Sequence, residues 1–264
     1  MNPIGPDIIA PLSLHPGEVR FFATDGYLHL PGVLDPSIAV SALRETLHVL
    51  RAGTGLADDE VTGTSGRTHK LVQSSQYLKD STLDRLVNSV NLQSIASQLL
   101  GGPASIYLPF TAVKSGGGGG RFSFHQDNQY TRFVDGLLGI NIWIALMPMT
   151  PENGCLQICP RSHLRGTLDA DIEADGHRRT KIEPTDFLPI RMSAGDAVAF
   201  TRLTVHGSGE NITMHPRVAY AVQYHRDDAL ATWDNREPRL LKNANRWSNA
   251  PVEKLTAPVG RDGH

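Results

Sequence analysis

Short runs of β-branched and apolar residues fill most of the chain between residues 105 and 224. Turn signals separate these runs, at the glycine run 116–120, at the Pro-Glu-Asn-Gly segment 151–154 and at the Ala-Gly-Asp triplet 194–196. Many short strands at such spacing are typical of a sandwich or barrel, because each strand must pair with neighbours and bury one face. The sequence therefore predicts a mainly β protein built on a double-stranded β-helix, or jelly roll.

Two α-helices are predicted ahead of these strands. The first covers 36–51, because Asp35 can cap it, Pro36 suits the first helical position and apolar side chains recur at helical spacing. The second covers 83–100 and stops at a Gly-Gly-Pro segment. Its predicted buried positions are Leu86, Val90, Ile95 and Leu99. Helices placed in this way can support one sheet of a jelly roll, so we expect flanking α-helices.

The length of the chain favours one domain. With 264 residues and 40% hydrophobic residues it can bury one sizeable core, and β domains of this length are commonly single. We expect a single domain over residues 1–264, with irregular tails at 1–16 and 233–264. Two glycine-rich loops, 53–68 and 116–120, carry few apolar anchors and are expected to be mobile lids.

The charge of the chain limits its partners. A net charge of −2 and a pI near 6.6 give no overall basic surface of the kind that binds nucleic acids or anionic membranes. No run approaches the roughly 18 apolar residues of a membrane span. We therefore expect a cytoplasmic protein that acts on a small molecule, without nucleic-acid or membrane partners, as a monomer or a homodimer.

The two cysteines, Cys155 and Cys159, lie four positions apart in a segment that is predicted to be one strand. Their Cα atoms would then be roughly 13 Å apart at about 3.3 Å per residue, which is too far for a disulfide. We expect two reduced thiols, as in a cytoplasmic protein.

The Phe-His-Gln-Asp-Asn segment at 124–128 is the strongest functional signal. A His-x-Asp pair alone is weak, since the chain has 11 histidines. Alternate side chains of a strand face the same way, so His125 and Asp127 can bind one ion, and His206 can join them from a distant strand. Two imidazoles and one carboxylate on one face of an octahedral metal leave the other face open, as in non-haem Fe(II) oxygenases.

Arg217 follows His206 eleven positions later, beside the strand-like run 218–222. A strand that returns toward the metal would place its guanidinium a few ångströms beyond the ion. The planar fork of donors there suits a carboxylate that is shielded from water. The dicarboxylate 2-oxoglutarate chelates iron through its keto acid end and needs a cation for its far end, so it is the expected cosubstrate.

These motifs resemble the phytanoyl-CoA dioxygenase family of Fe(II)/2-oxoglutarate oxygenases, and the likeness covers residues 21–226. Segment 25–32 is similar to the family's entry segment, and the His-Gln-Asp triplet at 125–127 is similar to its metal motif. The resemblance implies a cupin-like jelly roll and the use of Fe(II), 2-oxoglutarate and O2. The iron ligands that it implies are His125, Asp127 and His206.

The resemblance also implies a set of cosubstrate residues. Arg217 and Ser208 would hold the distal carboxylate of 2-oxoglutarate, and Trp143 would line its pocket. Lys70, reached across a long variable stretch, matches a lysine near 2-oxoglutarate. The sequence departs from many members at Phe124, where they have tryptophan before the metal histidine, and this change should alter the shape of the pocket.

Four residues are candidates for contact with substrate. Asn141 shares one face of a predicted strand with Trp143, and an amide beside an indole on an inward face favours a pocket lining over plain core. The other three lie in or beside the metal motif, and for Asn128 a position on the polar surface is an equally good explanation. These candidates are Phe124, Gln126, Asn128 and Asn141.

The sequence therefore predicts an Fe(II)/2-oxoglutarate dioxygenase that hydroxylates an unactivated C–H bond of a small metabolite and releases succinate and CO2. Two alternatives stay open. The same oxidant could serve desaturation, cyclisation or epimerisation in natural-product biosynthesis, or the chain could be a non-catalytic jelly-roll binding protein with a vestigial metal site.

Overall fold

The computed structural model describes residues 6–54, 74–174, 176–182, 187–232, 237–241 and 252–255. Its α-helices are α1 (Pro16–Asp25), α2 (Pro36–Thr54), α3 (Thr82–Val87) and α4 (Val90–Leu100). The first strands are β1 (Tyr27–Leu30), β2 (Ala104–Lys114), β3 (Phe122–His125), β4 (Arg132–Phe133), β5 (Gly139–Ala145), β6 (Leu156–Ile158) and β7 (Ala170–Ile172). The remaining strands are β8 (Arg178–Thr180), β9 (Leu188–Pro189), β10 (Ala197–Thr201), β11 (His206–Ser208), β12 (Arg217–Arg226), β13 (Leu230–Thr232) and β14 (Arg239–Leu240).

Two antiparallel sheets form the centre of the fold. The larger has the strand order β1-β10-β5-β12-β2, and the smaller has the order β3-β11-β6-β9. A three-stranded sheet, β14-β13-β4, and the hairpin β7-β8 complete the described strands. The non-consecutive neighbours in both main sheets are those of a jelly roll, and the predicted mainly β architecture with flanking helices is confirmed.

The two faces of β5 show where the cores lie. Ile140, Ile142 and Ile144 pack with the helices in one hydrophobic cluster, outside the large sheet. Trp143 and Ala145 belong to a second cluster, which fills the space between the two sheets. The alternation in the sequence therefore separates a helix-covered face from an inner face, and the candidate site residues lie on the inner face.

The first predicted helix is confirmed as α2, but the second is interrupted. Asn88 ends α3, and the side chain of Ser89 caps α4 by accepting a hydrogen bond from the backbone N–H of Leu92. The chain changes direction at this new cap, so the single apolar stripe does not continue through it. Val90 was predicted to be buried but is 67% exposed, whereas Leu86 is fully buried.

The helix α1 was not predicted from the sequence. His15 and Glu18 form a reciprocal cap at its start, in which the backbone N–H of His15 donates to the Glu18 carboxylate at 2.6 Å. Phe22 is its only buried side chain, so the helix carries almost no apolar stripe from which it could be recognised. Gly26 ends it with a φ of 81°, a conformation that favours glycine.

The segments predicted as irregular tails are partly tied to the fold. Ile9 bridges to Leu34 at the N-terminal side, and the Asp7 carboxylate accepts a hydrogen bond from the hydroxyl of Ser89 at the start of α4. Near the C-terminus, β14 pairs with β13, and Val252 forms a bridge with Leu78. Residues 6–15 are therefore a strap over the helices. That residues 1–264 form one domain stays a prediction.

Two further expectations concern single features of the chain. Neither Cys155 nor Cys159 forms a disulfide, as predicted. Within the described residues, no helix is both long enough and apolar enough to cross a membrane.

The glycine run between β2 and β3 forms an anchored turn instead of a loose loop. The backbone N–H of Gly117 donates to the carbonyl of Thr213 at 2.7 Å. The buried Lys114 closes the turn, because its Nζ atom donates to the carbonyls of Gly120 at 2.6 Å and Gly209 at 2.7 Å. These hydrogen bonds anchor the turn, and its movement as a lid stays a prediction. The other predicted lid, 53–68, lies outside the described residues except for its first two, which end α2.

Lys114 should make the stability of the protein depend on pH. Burial, with a contribution from the positive charge of Arg217, lowers the pKa of Lys114 to about 6. An unfolded lysine keeps its proton to about pH 10.4, so between these values the unfolded chain binds one more proton. The free energy of unfolding should therefore rise with pH in this window, by at most about 1.4 kcal/mol per pH unit for this group.

Urea denaturation of the wild-type protein and of Lys114→Met, each at several pH values from 7 to 9, measures this contribution. The variant lacks the titrating group, so its free energy of unfolding should rise less steeply with pH. Parallel curves for the two proteins would contradict the assignment of the titration to Lys114.

Candidate metal and cosubstrate site

Three chain segments bring two histidines and one aspartate together. His125 is the last residue of β3, His206 is the first residue of β11, and the two are direct ladder partners. Asp127 begins the short 3-10 turn Asp127–Gln129. The potential ligand atoms of all three lie within 4.8 Å of one another. His125 and Asp127 therefore do share a site, but the prediction that one strand carries both is wrong, because the chain turns after β3.

The histidine rings are oriented for metal binding. The Nδ1 atom of His125 lies 2.8 Å from the carbonyl oxygen of Ser123, and that of His206 lies 2.9 Å from the carbonyl oxygen of Thr204. A carbonyl only accepts, so each Nδ1 carries a proton, and in the neutral form of either ring the lone pair lies on Nε2. Both Nε2 atoms point to the same carboxylate oxygen, Oδ1 of Asp127, at 3.8 and 3.7 Å.

The charges of the three side chains also suit a metal. Burial lowers the pKa of His206 to about 4, so the ring is neutral at neutral pH. Burial alone would raise the pKa of Asp127, but His206, His125 and Arg202 together bring it below its usual range. Neutral imidazoles and an ionised carboxylate are the forms that bind a divalent cation.

Three polar side chains surround Asp127, and the sequence analysis singled out only Asn141 among them, as a substrate contact. The amide nitrogens of Gln223 and Asn141 lie 3.1 and 3.4 Å from Asp127 Oδ2, and Arg202 donates to the Asp127 carbonyl at 2.9 Å. Gln223 could have been found from the sequence, because strand alternation puts this amide on the same inward face as the small apolar residue Ala219. Arg202 could not, since it lies in the turn after β10.

Arg217 begins β12 and is 2% exposed. One of its terminal nitrogens donates to the carbonyl of Ala112 at 3.1 Å, whereas its Nε is buried without a hydrogen-bond partner. Its guanidinium carbon lies 5.2 Å from the centre of the Trp143 ring. Burial lowers its pKa to about 10, so it stays charged at neutral pH. Among the described residues, no carboxylate forms an ion pair with it. These features fit a site for an anion.

The other predicted cosubstrate residues lie in the same inner region where the structure describes them. Ser208 is buried two positions after His206 in β11, so both side chains face the same side of the strand. Trp143 is buried in β5, on the inner face next to β12. Lys70 lies outside the described residues.

Gln126 and Asn128 hold the loops around the metal motif. The amide of Gln126 is fully buried and donates to the carbonyls of Gly166 at 2.9 Å and Leu203 at 2.6 Å. The carbonyl oxygen of the Asn128 side chain accepts from the backbone N–H of Phe133 at 2.9 Å. These contacts give both amides a structural role and do not support the contact with substrate that was predicted for them, which stays a prediction.

Phe124 is also not beside the candidate metal site. Its ring stacks on Phe187, with ring centres 3.6 Å apart, on the outer side of β3. The ladder partners of His125 and Phe122 in β11 are two positions apart, so β3 carries one extra residue, a β-bulge. The bulge turns Phe122 inward, and its ring centre lies 4.7 Å from that of His125. Phe122 therefore takes the place that the sequence predicted for Phe124.

Rings from two loops cover the outer side of His125. The Tyr130 ring centre lies 5.4 Å from that of His125, and its hydroxyl lies 3.4 Å from Nδ1 of His177. His177 belongs to the β7-β8 hairpin and lies 4.5 Å, centre to centre, from Phe122. No sequence pattern predicted this group of rings, because it depends on where the hairpin folds. Asn141, predicted to face substrate, contacts Asp127 as described above.

Comparison with known proteins agrees with this site. Methylphosphonate hydroxylase of Gimesia maris is 35% identical over 153 residues, which are 58% of this chain and 56% of that protein. The match thus spans little more than half of the length of that hydroxylase. L-proline trans-4-hydroxylase of Streptomyces griseoviridis is 28% identical over 253 residues, which are 85% of this chain and 91% of that protein.

A solved structure has the same fold. The epimerase SnoN, in complex with Fe³⁺, alpha ketoglutarate and nogalamycin RO, superimposes with a TM-score of 0.68 at 23% identity, over 93% of this chain and 95% of that chain. The sequence also matches the family "Phytanoyl-CoA dioxygenase (PhyH)" over residues 22–219, well over half of the chain. The chain belongs to the phytanoyl-CoA dioxygenase family.

Proposed function

We propose that this protein is an Fe(II)- and 2-oxoglutarate-dependent dioxygenase that hydroxylates a C–H bond of a small metabolite. One observation carries this proposal. A buried cluster of two histidines and one aspartate lies between the same two sheets as Arg217, a buried cation without a carboxylate partner among the described residues. A metal site alone would explain the cluster, but a buried guanidinium without a carboxylate partner between the same sheets also favours the binding of an anion.

In this proposal His125, Asp127 and His206 hold Fe(II) on one side only. Three protein ligands leave the remaining coordination positions open, which is the arrangement that non-haem Fe(II) oxygenases use. The two carbonyl acceptors at the Nδ1 atoms fix the ring orientations before any metal binds. A binding protein would not need such an open set of ligands, and this disfavours the non-catalytic alternative.

Arg217 is proposed to bind the distal carboxylate of 2-oxoglutarate. An isolated buried charge is costly, and an anion that accepts from its unused donors would offset that cost. Ser208 can add a hydroxyl donor from β11, and Trp143 supports the guanidinium with its ring face. Lys70 stays a prediction as a further cosubstrate residue.

With iron, 2-oxoglutarate and O2 bound, one oxygen atom enters the substrate C–H bond as a hydroxyl, and the other enters the keto acid, which leaves as succinate and CO2. The protein's own residues orient the reactants and exclude water. His125, Asp127 and His206 are each less than 9% exposed, so the site is already shielded before substrate arrives.

The substrate class is proposed as a small free metabolite. The relatives described above are named as hydroxylases of methylphosphonate and of L-proline, which are both small and soluble. The rings of Phe122, Tyr130 and His177 lie next to His125 and leave little room for a bulky group on that side.

A second candidate is that the substrate radical ends in epimerisation, cyclisation or desaturation instead of hydroxylation. The structural similarity to the epimerase SnoN is the observation that favours epimerisation as a second candidate. Mass spectrometry of the product separates hydroxylation from these outcomes, because hydroxylation adds one oxygen atom, desaturation and oxidative cyclisation each remove two hydrogen atoms, and epimerisation leaves the mass unchanged.

The metal assignment predicts a selective loss. His206→Ala should weaken Co(II) binding, measured by equilibrium dialysis, by more than about 100-fold, since even loss of an outer partner of a ligand typically costs 10- to 100-fold. His29→Ala removes a half-exposed histidine of β1 and should bind Co(II) like the wild type. Equal affinity of the His206 variant and the wild type would refute the assignment.

The cosubstrate assignment predicts a change in KM. Arg217→Ala should raise the KM for 2-oxoglutarate, because a buried carboxylate that loses its charged partner costs about 2 to 5 kcal/mol, roughly 30-fold to several thousand-fold. Arg217→Lys should recover only part of this, since it lacks the fork of donors. Succinate release and O2 consumption with a panel of metabolites measure both the activity and the KM.

Arg161→Ala serves as the matched control, because Arg161 is an exposed arginine that pairs with Asp25. It should leave the KM for 2-oxoglutarate unchanged. If Arg217→Ala keeps the wild-type KM, the distal carboxylate is bound elsewhere and the proposed role of Arg217 fails.

A further inference from the structure

We infer that Gln223, held in one orientation by Arg202, is a positioning residue that reserves one oxygen of Asp127 for the metal. This inference rests on the proposed function, because it assumes that Asp127 is a metal ligand. Both residues are buried next to the candidate site, and neither can contact the metal through the atoms that face Asp127, which are all N–H donors.

The two carboxylate oxygens of Asp127 have different surroundings. Oδ2 lies within reach of two N–H donors, the amides of Gln223 at 3.1 Å and Asn141 at 3.4 Å. Oδ1 instead faces the Nε2 atoms of His125 and His206, at 3.8 and 3.7 Å. The hydrogen bonds on one oxygen therefore fix the torsion of the side chain so that the other oxygen completes the triad.

An amide by itself does not guarantee this arrangement. A glutamine side chain can turn over and present its oxygen in place of its nitrogen, and an oxygen would repel the carboxylate. Arg202 prevents this, since its NH1 donates to Oε1 of Gln223 at 3.1 Å. A guanidinium has donors only, so it accepts no other orientation of the amide, and the NH2 group of Gln223 must face Asp127.

Arg202 is itself held firmly. Its NH2 donates to the carbonyl oxygens of Asp127 at 2.9 Å and Thr131 at 3.0 Å. The guanidinium carbon lies 4.1 Å from the centre of the Phe133 ring and 5.2 Å from that of Tyr107. The same guanidinium thus fixes the backbone of the metal turn and, through Gln223, the side chain of Asp127.

The network joins the two sheets across the site. Gln223 and Asn141 are ladder partners in the large sheet, from β12 and β5. Asp127 follows β3 of the smaller sheet, and Arg202 leads from β10 toward β11. A change at Gln223 should therefore affect the carboxylate ligand without moving the histidines, whose Nδ1 atoms bind carbonyls of their own segments.

The test substitutes Gln223→Met, which keeps the length of the side chain and removes its hydrogen bonds. We expect Co(II) affinity to fall by about 10- to 100-fold, the usual cost of losing an outer partner of a ligand, and the visible spectrum of bound Co(II) to change. At saturating metal, the KM for 2-oxoglutarate should stay at the wild-type value while kcat falls. General damage to the inner core would instead change both parameters.

Two further variants keep the test decisive. Gln157→Met makes the same change in β6, away from the ligands, and should leave affinity and spectrum unchanged. Arg202→Lys keeps the positive charge but lacks the fork that reaches both Gln223 and the metal turn, so it should shift the Co(II) spectrum in the same direction as Gln223→Met. This second variant carries the test if Gln223→Met does not fold, which circular dichroism shows.

Wild-type Co(II) affinity and spectrum in folded Gln223→Met, or in Arg202→Lys where only that variant folds, would overturn the inference and leave the proposed function intact. Failure of the wild-type protein to bind Co(II) at all would overturn the proposed function, and the inference with it.

Discussion

Charge buried between the two sheets is the constraint on which the rest of the structure depends. Arg202 donates a hydrogen bond to the backbone carbonyl of Asp127, whose carboxylate lies nearby. Among the described residues, Arg217 contacts a carbonyl acceptor and an aromatic ring but no carboxylate. Burying an uncompensated ion normally costs several kcal/mol, so a fold retains one where an anion will bind. The different partners of the two guanidinium groups indicate a structural role for Arg202 and a binding role for Arg217.

The jelly roll supplies the geometry that these charges need. Short strands of the smaller sheet end at the site, so His125 and His206 can meet as ladder partners while the chain turns to present Asp127. The long strand β12 of the larger sheet carries Arg217 at its start and Gln223 further along the same face. One strand thus contributes to both the anion end and the metal end of the site, and its inner small residues, such as Ala221, leave space between them.

The sequence predicted what depends on local patterns and residue chemistry. The His-x-Asp spacing and the distant His206 were sufficient to predict the His-Asp-His cluster, and the alternation around Trp143 was sufficient to predict the inner face of β5. The role of Arg217 toward a cosubstrate stays a proposal. The sequence could not predict features that depend on one residue of register or on tertiary partners. The β-bulge places Phe122 instead of Phe124 beside His125. The amide of Gln126 donates its hydrogen bonds to the loops that fold around it. A new cap at Ser89 likewise exposed Val90.

The proposed function requires that Fe(II) and 2-oxoglutarate bind together in this one site. Anaerobic titration of the protein with Fe(II), followed by 2-oxoglutarate, tests this by visible absorption, because chelation of the iron by a keto acid produces a charge-transfer band. We expect the band to appear only when both are present and to saturate at one equivalent of each. Tight Fe(II) binding without a band on addition of 2-oxoglutarate would contradict the proposed function.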